Sequence, residues 1–66
     1  MIGQNIKKIR QKRRLTQDRL YKIADIPYTS LTKIETGVIK KPSVQTVAKI
    51  ARALDISLDK LMEGVV

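Results

Sequence analysis

The apolar residues of this chain recur at the three- and four-residue spacings of amphipathic helices. Ile2, Ile6 and Ile9 stand at i, i+4 and i+7, which predicts a first helix over residues 2–13. No stretch alternates apolar and polar residues for long enough to indicate a strand. The pattern therefore predicts an all-α protein.

Two short helices joined by a tight corner are predicted in the middle of the chain. Thr16 can accept a hydrogen bond from an unpaired backbone N–H, so it caps a helix over residues 17–24. A three-residue corner ends at Pro27, which suits the start of the next helix, running to about Thr36. Gly37 ends that helix because glycine adopts the left-handed conformation without a Cβ clash.

Two further helices complete the chain. Ser43 opens a fourth helix that runs to about Ala53, and Ser57 caps a last one over about residues 58–62. These elements predict a compact five-helix bundle forming a single domain over residues 1–66, with a helix-turn-helix at about 16–36. The inner side of the fourth helix is predicted to carry Val44, Val47, Ala48, Ala51 and Leu54, with Ile50 close by.

The outer side of the third helix is polar and carries almost no acid. Hydroxyl groups and a lysine suit the donor and acceptor edges of bases in the major groove, where the second helix of a helix-turn-helix lies. The residues on this side are Tyr28, Thr29, Thr32 and Lys33, with Ser30 beside them.

Composition narrows the possible functions. The 66 residues include 14 Lys/Arg against 6 Asp/Glu, a net charge of +8 that indicates an anionic partner. Cysteine and histidine are both absent, so zinc binding and histidine-based acid–base catalysis lack their usual residues. We therefore predict no catalytic residue, no metal and no cofactor. Without a long apolar run or a signal sequence, we expect a cytoplasmic protein with no membrane partner. The sequence gives no indication of a pocket large enough for an inducer, so we infer no small-molecule ligand.

Five segments of the chain stand in a characteristic order and spacing: IKKIR at 6–10, LTQDRL at 15–20, SLTKIETG at 30–37, KPS at 41–43 and KIARALDISLDKLM at 49–62. Together they cover nearly the whole chain and resemble the Cro/phage-repressor-type helix-turn-helix family, also called the XRE family. The resemblance implies a lambda-repressor-like domain whose partner is double-stranded DNA.

The resemblance also implies roles for individual residues. Arg10 and Glu35 match a pair that forms a partly buried salt bridge between the first and third helices. The positions that match base-contacting residues are Gln17, Tyr28, Thr29, Thr32 and Lys33. The positions that match phosphate-contacting residues are Ser30, Thr36, Lys40 and Lys41.

Four positions depart from the family pattern. The family often has glycine where this chain has Arg14, Asp25 and Asp55. Aspartate tolerates a positive φ, whereas at Arg14 a positive φ would cost about 1 kcal/mol. Tyr21 replaces the usual alanine, so its ring must either swing to the surface or push the second and third helices apart.

The apolar C-terminal residues Leu58, Leu61, Met62 and Val65 have two interpretations. They close the core of a small bundle, or they form a two-fold dimer contact. We favour the homodimer because a single module buries little surface on DNA. A dimer would place two recognition helices about 34 Å apart on a palindromic site.

Two functional hypotheses follow. The leading one is a sequence-specific DNA-binding transcriptional regulator that acts as a repressor. The alternative is a protein-interaction module of the same fold, such as an antitoxin or an anti-repressor-like partner. The basic outer face argues against the alternative, since its partner would have to be acidic.

Overall fold

Five α-helices form the part of the protein that the computed structural model describes, residues 2–65. No strand occurs in this range, and none of its helices is long and apolar enough to cross a bilayer. The all-α fold with five helices is therefore confirmed. The helices are α1 Ile2–Lys12, α2 Gln17–Ala24, α3 Tyr28–Thr36, α4 Val44–Ala53 and α5 Leu58–Leu61.

Local capping sets where most of these helices begin. The hydroxyls of Thr16, Ser43 and Ser57 each accept a hydrogen bond from the backbone N–H three residues later, at 3.2, 3.2 and 3.1 Å. Pro27 differs from the prediction, because it occupies the N-cap of α3 in extended backbone (ψ 142°) and not the first helical turn. Its carbonyl still accepts from the N–H of Leu31 at 3.2 Å. The other helix ends agree with the prediction to within one residue.

Each of the five helices contributes at least one fully buried side chain to the core. α3 packs against α1 on one side and α2 on the other, while α4 contacts α2 and α5. This arrangement holds α3 along its inner side and leaves its outer side to solvent. The largest fully buried residues are Ile6, Leu20, Leu31, Ile34, Ile50, Leu54 and Leu61.

The inner face of α4 differs from the predicted one. Val44 is 76% exposed and Ala48 is also exposed, whereas Ile50, predicted only to lie close by, is fully buried. At about 100° per residue, Val44 and Ala48 lie together on one flank of the stripe that runs through Val47 and Ile50. The helix is rotated so that the Ile50 side faces the core, and the other flank is left in water.

Within residues 2–65, three residues other than glycine adopt the left-handed conformation, at the positions where the family often has glycine. The φ angles are 56° at Arg14, 58° at Asp25 and 56° at Asp55. A short side chain such as that of aspartate can hydrogen-bond locally and so lowers the cost of this conformation. Arg14 lacks that compensation, so its backbone is strained.

Arg14→Gly is expected to raise the free energy of unfolding by about 0.5–1 kcal/mol. The change removes a backbone strain of about 1–2 kcal/mol from the folded state. Glycine also increases the conformational entropy of the unfolded chain, which offsets part of this stabilisation. Chemical denaturation monitored by circular dichroism measures the difference. As a control, the same change at Arg13, which does not have a positive φ, should lower stability. A loss of stability in Arg14→Gly would contradict the strain at this position.

Candidate nucleic-acid interface

The outer side of α3 is accessible over its whole length. Leu31 and Ile34 are buried beneath the helix, at 0% and 1% exposure. Thr29 and Lys33, one turn apart, are exposed on the opposite side. The other predicted contact residues of this helix extend the same surface, with Tyr28 and Thr36 exposed and Ser30 and Thr32 half-buried.

Hydrogen bonds within α3 decide what two of its threonines can offer a partner. Thr32 donates its hydroxyl proton to the carbonyl oxygen of Thr29 at 3.0 Å, and Thr36 donates to that of Thr32 at 2.8 Å. A hydroxyl has one proton and two acceptor lone pairs. In this arrangement both threonines therefore present acceptors, and their methyl groups, to the outside.

Tyr21 follows neither of the two expected outcomes. Its ring is half-buried and packs against the core, while α2 and α3 stay in contact. It meets the ring of Tyr28 edge-on, with centroids 5.4 Å apart and planes inclined at 69°. Such pairs contribute about 0.5–1.5 kcal/mol beyond the area they bury. Tyr21 therefore supports Tyr28 at the first turn of α3.

Arg10 and Glu35 form the ion pair implied by the family resemblance. Nε and Nη2 of Arg10 donate to the two oxygens of Glu35, at 2.9 and 3.0 Å, and the two side chains are only 11% and 3% exposed. This bidentate geometry fixes both groups in orientation. Nη1 of Arg10 also donates to the carbonyl oxygen of Leu15 at 2.8 Å. Because Glu35 is the only acid in α3, its burial in this pair removes negative charge from the outer surface.

Gln17 joins the same network from the first turn of α2. Its Nε2 donates to Oε1 of Glu35 at 3.1 Å, which ties the start of α2 to the end of α3. One amide N–H and the carbonyl oxygen remain to bind a partner. The family resemblance implies a role for Gln17 toward DNA, whereas this contact with Glu35 was not predicted.

Gly3 has a structural role that its place in the sequence did not predict. A Cβ at this position would overlap the carbonyl oxygen of Ile34 and lie 3.2 Å from the Cα of Glu35. Only glycine lets α1 approach the last turn of α3 this closely. In the sequence, Gly3 appears only as an isolated glycine within a helical pattern. Such a glycine marks close packing in some helices but has no special role in others, so the pattern alone does not predict this contact.

The connector after α3 carries exposed positive charge next to the outer surface. Its backbone is held to the helix by the N–H of Ile39, which donates to the carbonyl oxygen of Lys33 at 2.9 Å. Lys40 and Lys41 follow directly and are both exposed. These two lysines therefore lie just beyond the C-terminal end of α3, which carries the polar surface.

A family model described as helix-turn-helix matches residues 6–61. The chain belongs to this family, the XRE-type helix-turn-helix proteins. Its relatives include an uncharacterized HTH-type transcriptional regulator, YqaE, of Bacillus subtilis (strain 168), 34% identical over 64 residues. The HTH-type transcriptional regulator SinR of the same organism is 32% identical over 63 residues. These matches cover 97% and 96% of this chain but 54% and 57% of the relatives. The chain thus spans about half the length of the curated relatives it matches.

Two solved structures share the arrangement of this XRE-type domain. One is the crystal structure of SinR, the master regulator for biofilm formation, in complex with DNA. It has a TM-score of 0.90 and 32% identity, over 94% of this chain and 98% of that one. The other is the SinR/SinI protein complex, with a TM-score of 0.92 and 31% identity, over 97% of this chain and 62% of that one.

The four residues predicted to form a dimer contact of the XRE-type domain differ in their exposure to solvent. Leu61 is fully buried within the subunit, so it belongs to the core and cannot lie in an interface. It is the one buried residue of the short α5, which packs against α1 and α4. Leu58 and Met62 are 41% and 37% exposed, and Val65 is half-buried. The surface that could meet a second copy is therefore smaller than the sequence indicated.

Proposed function

We propose that this XRE-type domain is a sequence-specific DNA-binding transcriptional regulator that inserts α3, the recognition helix, into the major groove. The observation that carries this proposal is the outer side of α3. It presents hydroxyl groups and a lysine, while its only acid, Glu35, is 3% exposed and paired with Arg10. The likeness to the SinR structure that was solved in complex with DNA supports DNA as the partner.

Two residues on the outer side of the recognition helix fit particular features of the groove. Lys33 can donate to O6 and N7 of guanine. Thr32 presents an acceptor, which suits the amino group of adenine or cytosine, and its methyl suits that of thymine. Tyr28 and Thr29 lie beside these residues, and Gln17 offers its free amide groups from the start of α2.

Phosphate contacts would clamp the recognition helix in place. Lys40 and Lys41 are exposed at its end, and Ser30 lies on the same surface. Each phosphate that a cation neutralises makes the slope of log K against log salt more negative by about 0.9. Thr36 would have to turn its hydroxyl away from the carbonyl of Thr32 in order to donate to a phosphate.

We further propose that the protein acts as a dimeric repressor on a palindromic operator. Leu58 and Met62 are the exposed apolar residues of the C-terminal part, and Val65 adjoins them. A two-fold contact there would set two recognition helices about 34 Å apart, one turn of DNA. Occupancy of the operator would then exclude the polymerase.

Selection of binding sites from a pool of randomised duplexes tests this function. We expect enrichment of an inverted repeat, with affinity that falls steeply as salt rises. A wild-type protein that enriches no sequence and binds no duplex would contradict the proposal. It would favour the protein-interaction module instead.

The double variant Thr29→Ala/Lys33→Ala is expected to lose this enrichment. Each good base contact contributes about 1–3 kcal/mol of discrimination, so the loss should be tenfold or more. The melting temperature should not fall, because both side chains are exposed. Lys49→Ala is the control, since it removes the same charge from the exposed side of α4. Selection of the unchanged site by the double variant would show that the base-contacting residues are assigned wrongly.

A further inference from the structure

Arg14 combines a strained backbone with an exposed cationic side chain. Its φ of 56° is in the left-handed region, which disfavours residues with long side chains. Within residues 2–65 its guanidinium forms no salt bridge. No ion pair within this range therefore compensates for the strain. Strained residues that persist in a fold often lie at functional sites.

The turn that contains Arg14 is fixed beside the end of the recognition helix. The next residue, Leu15, accepts a hydrogen bond from Arg10 at 2.8 Å through its carbonyl oxygen. Arg10 in turn binds Glu35 in the last turn of α3, and Gln17 binds the same carboxylate. Arg14 thus sits on a short, rigidly held segment close to the last turn of α3, the helix that would face DNA.

We propose that Arg14 binds a DNA phosphate beside the bases that α3 contacts. This inference rests on the function proposed above. A guanidinium is always charged and can grip a phosphate with two parallel hydrogen bonds. The contact is independent of sequence, so it adds affinity and leaves the choice of site to α3. The strain at residue 14 is retained because glycine there would have no charge to offer.

A simpler interpretation is that Arg14 only adds to the net charge of +8. Arg52 is a matched control for that interpretation. It is also an exposed arginine, but it lies in a groove with Ile23 and Asp25, at the C-terminal end of α2. Arg14 precedes the N-terminal end of the same helix, and eight residues of α2, about 12 Å, separate the two ends.

The test measures the affinity for a short random-sequence duplex over a series of salt concentrations. The proteins compared are the wild type, Arg14→Gln, Arg14→Lys and Arg52→Gln. Arg14→Gln should make the slope of log K against log salt shallower by about 0.9. Arg14→Lys and Arg52→Gln should keep the wild-type slope. Glutamine at residue 14 keeps a side chain on the same strained backbone, so an unchanged melting temperature should accompany the loss of slope.

Two results would overturn the inference. A wild-type slope in Arg14→Gln would show that no phosphate is neutralised there. An equal loss of slope in Arg14→Gln and Arg52→Gln would show that only net charge matters. Both leave the proposed function standing, because the wild type still binds DNA. A wild type without salt-dependent binding would overturn the proposed function and this inference together.

Discussion

Glu35→Ala is expected to lower the free energy of unfolding by about 3–5 kcal/mol. The change leaves the guanidinium of Arg10 without its partner in a site where the two side chains are 11% and 3% exposed. Removing one member of a buried pair has a cost of this size, because the remaining charge is uncompensated. In a domain of this length the hydrophobic core rarely contributes more than about 3–5 kcal/mol to the free energy of unfolding. We therefore expect the Glu35→Ala variant to be largely unfolded at 25 °C.

Urea denaturation followed by circular dichroism measures this effect, with Glu63→Ala as the control. Glu63 pairs with Lys60 at 3.3 Å, but the two side chains are 71% and 63% exposed. Exposed pairs contribute about 0–1 kcal/mol, so the control should stay close to the wild type. Similar losses in the two variants would refute the role of burial. Replacing Arg10 and Glu35 together by apolar residues should cost less than Glu35→Ala, since no charge is then left alone.

Gly3→Ala is expected to lower the free energy of unfolding by about 1–3 kcal/mol, which is typical of overpacking. The added methyl group would meet the backbone of α3 at Ile34 and Glu35, which cannot move aside as a flexible side chain does. In an open helical position the same change would gain about 1 kcal/mol from helix propensity. The sign of the effect therefore reports the close approach of α1 and α3.

The neighbouring residue supplies the control for Gly3→Ala. Gln4 is exposed on α1, so Gln4→Ala should leave the melting temperature nearly unchanged. An increase in the melting temperature of Gly3→Ala would show that α1 and α3 are not in tight contact. The added methyl group would press on the end of the recognition helix. Gly3→Ala should therefore also weaken DNA binding under conditions where the variant remains folded.

The ends of the helices could be predicted from the sequence because their causes are local. A capping hydroxyl at Thr16, Ser43 or Ser57 bonds to a backbone N–H only three residues away. The spacing of Leu31 and Ile34 fixes the inner side of α3, and hence its outer side, within one turn of helix. The polar surface of the candidate site could therefore be predicted from the same spacing that predicts α3.

Residue roles that depend on packing were predicted only in part. The sequence placed Leu61 in a possible dimer contact, because an apolar residue in a short terminal helix fits a core and an interface equally well. The fold resolves this ambiguity by burying Leu61 completely. The hydrogen bonds of Thr32 and Thr36 along α3 likewise depend on rotamers that a sequence does not specify.

The sequence by itself determined five helices, the N-caps of three of them, a basic charge and the polar side of the recognition helix, since all of these follow from residue type and short-range spacing. Only the tertiary structure decided which flank of α4 is buried, why residue 3 is glycine and how Gln17 shares Glu35 with Arg10. These features arise where segments distant in the chain meet. Close packing selects one rotation and one separation of each helix from several that the pattern of apolar residues allows.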